Sequence, residues 1–305
     1  MIELAHAPPK LHRRLPDPAS ADAAISVYDA TAFGYDASRD PFYAYLRERF
    51  DRILARELPS APCSVLDLGC GTGWQAIPLL TQGYDVTAVD LSDGLLAVAR
   101  AKAAALNGRA GRAVFLRNDI RALPLPSESF EVVYSLGSVL SHLADPVPAL
   151  EEVHRVLAPR GRAILEFENL FNLELVFMAM DAAFRGGRSY GAGLADLRDA
   201  VRGKSDLRFR IPIPIDNGET ASVPLFKSTL KRRKSWLAAA GLTLVRRYGL
   251  HLATQVIPPR IQDRCSSRAL GRLLALLDRV DDLVWTSGRL SRFANSVVVV
   301  VEKSG

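Results

Sequence analysis

Short apolar runs alternate with amphipathic stretches from about residue 63 onward, and this alternation restricts the fold more than any other feature of the chain. The stretches between the runs carry apolar residues at three- and four-residue spacing, which is typical of helices. A β-α-β-α order is typical of a parallel sheet covered by helices on both faces. We therefore predict an α/β protein with a doubly wound, mostly parallel, seven-stranded sheet. The first five predicted strands are residues 64–68, 85–90, 113–117, 131–135 and 162–168, with helices at about 74–82, 94–106 and 147–157.

The second half of the chain departs from this rhythm after Glu168. Residues 206–224 carry alternating prolines, which exclude a central strand and predict a loop or short edge strands. The other predicted elements are an apolar helix at 170–184, a basic helix at 227–240, a strand at 242–252, an amphipathic helix at 268–290 and a last, buried strand at 295–301. The predicted parts are a flexible tail over 1–24, a core over 25–169, an insertion over 170–235 and a C-terminal part over 236–305 that completes the core.

Composition restricts the class of protein. Hydrophobic residues make up 49% and charged residues 24% of the 305 residues, as in an ordinary globular domain. The three cysteines lack the close pairing of a zinc site, so we expect neither a disulfide framework nor a bound metal. We find no run of about 18 uncharged apolar residues and no signal peptide, and we expect a cytoplasmic protein without a transmembrane segment.

The charge is unevenly distributed. Net charge is +6, but residues from Arg185 onward contain 22 Lys and Arg against 10 Asp and Glu, a net +12 that leaves −6 for residues 1–184. A basic half of this kind favours an anionic partner such as a phosphate, a carboxylate, a lipid head group or nucleic acid. Solvated arginines on surface helices would give the same count. The sequence leaves both interpretations open.

A glycine-rich turn follows the first predicted strand. Residues 65–73 read Val-Leu-Asp-Leu-Gly-Cys-Gly-Thr-Gly and place three glycines where the strand becomes a helix. Glycine has no Cβ, so such a turn can approach a ligand closely, while the helix N-terminus presents free N–H groups. A dinucleotide-binding turn would carry its third glycine at position 74, which is occupied by Trp74. Tryptophan in place of that glycine disfavours a dinucleotide-dependent dehydrogenase.

The spacing G-x-G-x-G, with Asp67 two residues before the first glycine, resembles the first motif of class I S-adenosylmethionine (SAM)-dependent methyltransferases. The similarity spans about residues 25–170, weakens from 170 to 230 and resumes in the final strands. It implies a Rossmann-like sheet, SAM as cofactor, and methyl transfer to an oxygen, nitrogen or carbon nucleophile of a small, hydrophobic or anionic acceptor. It also implies that the core over 25–169 includes N-terminal cover helices and that the insertion over 170–235 is a lid that reads the acceptor.

The resemblance implies a set of cofactor contacts. Asp90 matches the carboxylate that accepts both ribose hydroxyls, although it could instead cap the next helix. Asp119 matches the acceptor of the adenine amine, with a turn aspartate as the alternative. Asp67 matches the family residue that organises the glycine turn and faces the methionyl end of SAM. The alternative is that it has a structural role only. The segment 28–36 resembles the part that closes over SAM. The predicted cofactor-binding residues are Tyr28, Asp67, Gly69, Cys70, Gly71, Gly73, Asp90, Leu91, Asn118, Asp119, Ile120, Ser135, Leu136 and Gly137.

Methyl transfer to an alcohol or phenol needs a base that takes the proton of the acceptor. His142, one helical turn past Ser138, is the first candidate, and a packing or surface histidine is the alternative. Tyr35 is a second candidate catalytic residue. His251 and Tyr190 are weaker candidates, whereas His6 and His12 fall in the predicted tail.

The insertion combines an apolar helix with basic residues, which favours an acceptor with an apolar body and an anionic group. The basic residues are Arg202, Lys204, Arg208, Arg210, Lys231, Arg232, Arg233 and Lys234. The amphipathic helix near the C-terminus carries one apolar stripe, which we expect to pack on the sheet, with peripheral membrane contact as the alternative. That stripe consists of Leu273, Leu276, Leu277, Val280, Leu283 and Val284.

Two other functions are compatible with parts of the sequence. An RNA or DNA methyltransferase would suit the basic half, but residues 135–138 read Ser-Leu-Gly-Ser and lack the Asn- or Asp-Pro-Pro-aromatic signature of enzymes that methylate base amines. A SAM-binding scaffold without turnover is compatible with every cofactor residue. We therefore expect a small-molecule acceptor, while the acceptor itself and the oligomeric state stay unpredicted.

Overall fold

The computed structural model describes residues 21–32, 34–37, 41–106, 111–214, 220–257 and 268–304. Its strands are β1 (Ser64–Leu68), β2 (Asp85–Asp90), β3 (Ala113–Arg117), β4 (Phe130–Ser135), β5 (Leu157–Glu168), β6 (Leu207–Pro214), β7 (Thr220–Lys227), β8 (Leu242–Leu250) and β9 (Ser296–Lys303). Its α-helices are α1 (Ala21–Thr31), α2 (Pro41–Glu57), α3 (Ala76–Thr81), α4 (Asp93–Ala104), α5 (Val147–Val156), α6 (Glu174–Arg185), α7 (Leu194–Val201), α8 (Leu230–Ala239) and α9 (Arg268–Val284).

Seven strands form one sheet in the order β3-β2-β1-β4-β5-β9-β8. Neighbouring strands from β3 to β5 pair in parallel, whereas β9 runs antiparallel to both β5 and β8. The order reverses between β1 and β4, where a doubly wound sheet opens a crevice at its carboxyl edge. The predicted doubly wound, mostly parallel sheet is confirmed.

Two apolar layers cover the sheet. Strand β9 shows both, since Val298 and Val300 belong to one buried cluster while Val297, Val299 and Val301 belong to the other. A strand buried on both faces carries a continuous apolar run instead of an alternating one. This explains why the five valines predicted a buried strand.

The bounds of β1, β2 and β3 agree with the prediction, whereas β4 begins one residue earlier and β5 begins at Leu157. The early start of β5 arises because Leu157 pairs with Phe130 ahead of a register shift. The helix predicted at 170–184 begins only at Glu174, and the helix predicted at 268–290 ends at Val284.

Residues 206–224 form more regular structure than predicted. Strands β6 and β7 pair as an antiparallel hairpin of eight residues each, separate from the main sheet. Prolines are tolerated because each strand of a two-stranded ribbon is an edge strand. The prediction that Lys227 belongs to a helix is wrong, because Lys227 ends β7 and α8 begins at Leu230. The Thr229 side chain caps α8 by accepting the Arg232 N–H at 3.2 Å.

The prediction that the apolar stripe of α9 packs on the sheet is wrong. Leu273, Leu276, Val280 and Leu283 are 45%, 57%, 42% and 82% exposed. The inward face of the helix is instead the one that carries its aspartates, which meet arginines of α2. Within the described residues, no helix combines the length and hydropathy needed to cross a bilayer.

Candidate active site

The glycine-rich turn joins β1 to α3 at the carboxyl edge of the sheet. Gly69, Gly71 and Gly73 have φ angles of 76°, 53° and 76°, which disfavour any residue with a Cβ. A Cβ on Gly69 would lie 2.4 Å from Val139 Cγ2, and one on Gly73 would lie 3.2 Å from Ala99 Cβ. A Cβ on Gly71 would meet no heavy atom within 4 Å. Gly69 and Gly73 therefore serve close packing, whereas Gly71 borders open space.

Asp90, at the end of β2, lies directly beside this turn. Its Oδ2 accepts the Gly71 N–H at 2.8 Å and its Oδ1 accepts the Ser92 N–H at 2.9 Å. Burial raises the pKa of Asp90, and these N–H donors oppose the shift. The N-cap of α4 is Ser92, whose Oγ accepts the Leu95 N–H at 3.1 Å. Asp90 is thus not the helix cap, and its carboxylate keeps lone pairs for further donors.

Asp67 is buried near the end of β1. The Tyr134 hydroxyl, from the neighbouring β4, donates to Asp67 Oδ2 at 2.9 Å. Burial raises the pKa of Asp67 to about 8, and the Tyr134 hydrogen bond opposes that shift. Cys70, the second residue after the strand, is a buried free thiol. The hydrogen bond that holds Asp67 comes from β4, so this carboxyl group fixes the strand end next to the glycine turn.

The N-terminal segment lies against the glycine turn and the start of α4. Asp29 Oδ1 accepts hydrogen bonds from the Ser92 hydroxyl at 2.5 Å and from the Gly94 N–H at 3.0 Å, which ties α1 to the start of α4. Asp36 Oδ1 accepts from the Thr72 hydroxyl at 2.7 Å, and Asp36 also forms an ion pair with Lys102. Side chains on both sides of Tyr35 therefore hold this segment over the turn.

His142 lies in a short 3-10 turn, Val139–His142, that follows β4. Its Nδ1 is 2.9 Å from the carbonyl oxygen of Pro224 on β7, and its Nε2 is 2.9 Å from the Tyr28 hydroxyl on α1. A carbonyl only accepts, so Nδ1 carries the proton and Nε2 of the neutral ring accepts from Tyr28. Burial lowers the pKa of His142 below its ordinary value, which favours this neutral form. The rings of Tyr28 and Tyr35 meet edge to face, with centroids 6.4 Å apart.

The segment after β4 lines the same crevice. The Ser135 hydroxyl is buried and donates to the Leu68 carbonyl at 3.0 Å, so its side chain joins two strands. Leu136 is buried, while a Cβ on Gly137 would meet nothing within 4 Å. Ser138 has a φ of 63°, a strained backbone for a residue with a side chain. Gly137 therefore borders open space, whereas the side chains of Ser135 and Leu136 are buried.

Two carboxylates of β5, which the sequence pattern did not predict as part of the site, lie beside the segment after β4. Glu166 Oε2 accepts the N–H groups of Gly137 and Ser138 at 2.6 and 2.8 Å, which fixes the strained backbone. Burial raises the pKa of Glu166 to about 7, with the nearby charge of Glu168 adding to the shift. Glu168 accepts from the Ser138 hydroxyl at 2.8 Å and from Lys227 Nζ at 3.0 Å. The signal for them in the sequence was two carboxylates at the end of a strand that is otherwise apolar from Ala163 onward.

The predicted adenine-binding residues follow β3. The Asn118 N–H donates to the Asp90 carbonyl at 3.1 Å, which places this turn beside β2. Asp119 is paired with Arg121 at 2.6 Å, and that hydrogen bond lowers the pKa of Asp119. Ile120 is buried, and Leu91 is partly buried on the adjacent turn. Asp119 is thus a turn aspartate in this structure, with a carboxylate that remains partly exposed.

Other predicted candidates lie elsewhere or beyond the described residues. His251 is buried at the end of β8, where its Nδ1 is 2.8 Å from Thr254 Oγ1 and burial lowers its pKa to about 3. Tyr190 packs against the apolar core of the insertion. His6, His12 and Cys265 lie outside the described residues. Among the residues that are described, no three His, Cys, Asp or Glu side chains are grouped as metal ligands.

A glycine turn and an acidic residue at the switch point of a doubly wound sheet define a Rossmann-like protein that binds a nucleoside cofactor. A family model described as a methyltransferase domain matches residues 65–161. The chain is 32% identical over 145 residues to malonyl-[acyl-carrier protein] O-methyltransferase of Serratia marcescens, a match that covers 48% of this chain and only 52%, about half, of that relative.

Two further comparisons extend over more of the chain. Identity is 32% over 197 residues to the ubiquinone/menaquinone biosynthesis C-methyltransferase UbiE of Methylobacterium nodulans, covering 62% of this chain and 76% of that protein. The CcbJ methyltransferase from Streptomyces caelestis shares the fold with a TM-score of 0.56 at 19% identity, over 92% of this chain and 98% of that one. The chain belongs to the class I SAM-dependent methyltransferases, a family whose cofactor is SAM.

Proposed function

We propose that the chain moves a methyl group from SAM to an oxygen or carbon nucleophile of a small, hydrophobic acceptor. The observation that carries the proposal is the meeting, at one edge of the sheet, of the open turn at Gly71, the carboxylate of Asp90 and the neutral imidazole of His142. The named relatives that methylate malonyl-[acyl-carrier protein] or take part in quinone biosynthesis support a small-molecule acceptor over a nucleic acid.

The residues present fit the cofactor. Asp90 keeps lone pairs that can accept ribose hydroxyls, and the space beside Gly71 and Gly137 is open to a ligand. The backbone after β4 and the segment that carries Tyr28 would then enclose the methionyl end, while Asn118, Asp119 and Ile120 would lie beside the base. When bound, SAM supplies a methyl group that its sulfonium has already activated. The chain itself has to orient the acceptor, exclude water and remove a proton.

His142 is the group that can take that proton. The Pro224 carbonyl holds the hydrogen on Nδ1, so the lone pair of Nε2 points to the Tyr28 hydroxyl. An acceptor hydroxyl or acidic C–H at this position would give its proton to Nε2, either directly or through Tyr28. The resulting imidazolium keeps its Nδ1–H bond to Pro224 and gains from the charge of Glu168. Tyr35, which contacts Tyr28 and is partly exposed, would act as a gate for the acceptor.

We propose that the insertion recognises the acceptor. It reaches the site through Pro224 on β7, whose carbonyl binds His142, and through Lys227, whose ammonium binds Glu168. Of its basic residues, Arg233 is buried and donates to Asn169 Oδ1 at 2.8 Å, so it is structural and does not contact an acceptor. The exposed arginines and lysines remain for an anionic group.

The cofactor half of the proposal is tested by titration calorimetry with SAM and with S-adenosylhomocysteine. We expect Asp90→Ala to weaken binding at least roughly tenfold, because two hydroxyl hydrogen bonds to a charged acceptor are lost. Asp93→Ala removes an exposed carboxylate three residues further on and should leave binding unchanged. Equal binding by the wild type and Asp90→Ala would contradict the assignment.

The reaction half is tested with methyl-labelled SAM and a panel of acceptors: catechols, reduced quinones, acyl thioesters and transfer RNA. Label in a quinol, catechol or acyl acceptor supports the proposal. Label in RNA alone would establish a nucleic-acid methyltransferase instead. Tight SAM binding with no transfer to any acceptor would favour a binding scaffold.

A further inference from the structure

The outward face of α9 is apolar and uncovered in the described structure. Leu273, Leu276, Val280 and Leu283 follow one another at spacings of three and four residues, which places them on one side of the helix over about 15 Å. A helix with one exposed apolar side and a polar opposite side is typical of helices that lie in a membrane interface.

The aspartates of α9 lie on its inward face, where they are paired with arginines of α2 or accept hydrogen bonds. Arg49, buried on α2, binds Asp278 at 2.7 Å and also pairs with Asp282. Asp281 accepts the Ala253 N–H at 2.6 Å and the Thr254 hydroxyl at 2.8 Å. These bonds hold the helix in one rotation, with its aspartates inward and its leucines outward.

Cations border the outward stripe. Arg272 and Arg279 are exposed and seven residues apart, so they follow the same edge of the stripe. Between residues 270 and 284, where side chains of α9 are described, the aspartates lie away from the stripe, and Asp282, whose side chain is 36% exposed, pairs with Arg49 and Arg52. The outward face therefore offers only apolar and positively charged groups.

We propose that the outward face of α9 docks on an anionic lipid bilayer. The four apolar side chains would enter the boundary between head groups and acyl chains, while Arg272 and Arg279 would bind lipid phosphates. Basic residues next to a membrane surface strengthen binding to anionic lipids. A second copy of the chain fits this face less well, because its own Arg272 and Arg279 would face those of the first copy, while its partly exposed Asp282 is already paired with Arg49 and Arg52. This inference does not depend on the proposed methyl transfer.

The test is co-sedimentation of the full chain with vesicles of equimolar phosphatidylcholine and phosphatidylglycerol, compared with vesicles of phosphatidylcholine alone. We expect the wild type to sediment with the anionic vesicles and to be released as salt is raised. Leu276→Gln/Leu283→Gln should lower the partition coefficient at least roughly tenfold. Arg272→Gln/Arg279→Gln should remove the preference for anionic vesicles.

The matched control is Leu194→Gln/Val201→Gln, which removes two exposed apolar side chains from α7 and should sediment like the wild type. Circular dichroism checks that each variant is folded. Failure of the folded wild type to sediment with anionic vesicles would overturn the proposal, as would equal losses in the α7 and α9 variants. A dimer in light scattering that Leu276→Gln/Leu283→Gln dissociates, without vesicle binding, would assign the face to a second copy.

Discussion

At the scale of single residues, identical side chains have different tasks because their neighbours differ. A Cβ on Gly69 would clash with Val139 and one on Gly73 would press on Ala99, whereas Gly71 borders open space. Asp67 and Asp90 lie at or next to the ends of adjacent strands, yet one accepts from a buried tyrosine and the other from two backbone N–H groups. The motif gives the residue types, while the surroundings decide which of them can contact a ligand.

His142→Ala is predicted to lower kcat about 100- to 10,000-fold, the usual contribution of a general base. The base works in its neutral form, so kcat/KM of the wild type should rise with pH through a pKa below 6.5 and then level off. The variant should lose this acidic limb. His154→Ala, on α5, serves as the control and should keep both rate and profile. Full activity in His142→Ala would show that this histidine only packs between α1 and β7.

At the scale of elements, the insertion is attached to the core through a buried charge cluster. Lys227, at the end of β7, is fully buried and binds Glu168 on β5 and Glu174 on α6, each at 3.0 Å. The carboxylates raise the pKa of Lys227 against the opposing effect of burial, so the ammonium stays charged. One cation thereby joins the hairpin, the apolar helix and the strand that ends at the site.

Lys227→Met is predicted to lower the free energy of unfolding by about 3–5 kcal/mol, because it leaves the buried carboxylate of Glu168 and the partly buried carboxylate of Glu174 without their cation. The measurement is chemical denaturation, together with hydrogen exchange of β6, β7 and α6. Lys231→Met, an exposed change four residues away, should stay within about 0.5 kcal/mol of the wild type. If both variants were equally stable, the cluster would not be what attaches the insertion.

At the scale of the whole molecule, burial of carboxyl groups makes stability depend on pH. The folded-state pKa values of Asp67 and Glu166 are raised to about 8 and about 7, from ordinary values of 3.8 and 4.5. The folded chain therefore holds protons that the unfolded chain releases, so these two groups lower stability as pH rises toward 8. His142 and His251 have lowered pKa values and act in the opposite direction below 6.5.

The free energy of unfolding without SAM is accordingly predicted to fall between about pH 6.5 and about pH 8, where the carboxyl groups still titrate and the histidines contribute little. Asp67→Asn and Glu166→Gln should each flatten this decline, as measured by denaturation at several pH values. Asp93→Asn, an exposed change on α4, should leave the slope as in the wild type. A slope that neither buried substitution alters would contradict the assignment.

Features that depend on neighbours along the chain could be predicted from the sequence. Strand and helix periodicity placed β1 to β5 within a few residues, and glycine spacing placed the turn between β1 and α3, because both follow from local backbone geometry. The hairpin of β6 and β7 could not be predicted in this way. Its prolines disfavour a strand, and the hairpin forms because the two segments pair with each other.

Contacts between groups far apart in the chain depend on how the elements pack in three dimensions. His142 contacts Tyr28 and Pro224, which are 114 and 82 residues away, and Lys227 reaches Glu168 across 59 residues. Amphipathic spacing showed that α9 has two faces but did not show which one turns inward. The arginines of α2 settled that, because their charges pair with the acidic face of α9 and leave its leucines outside.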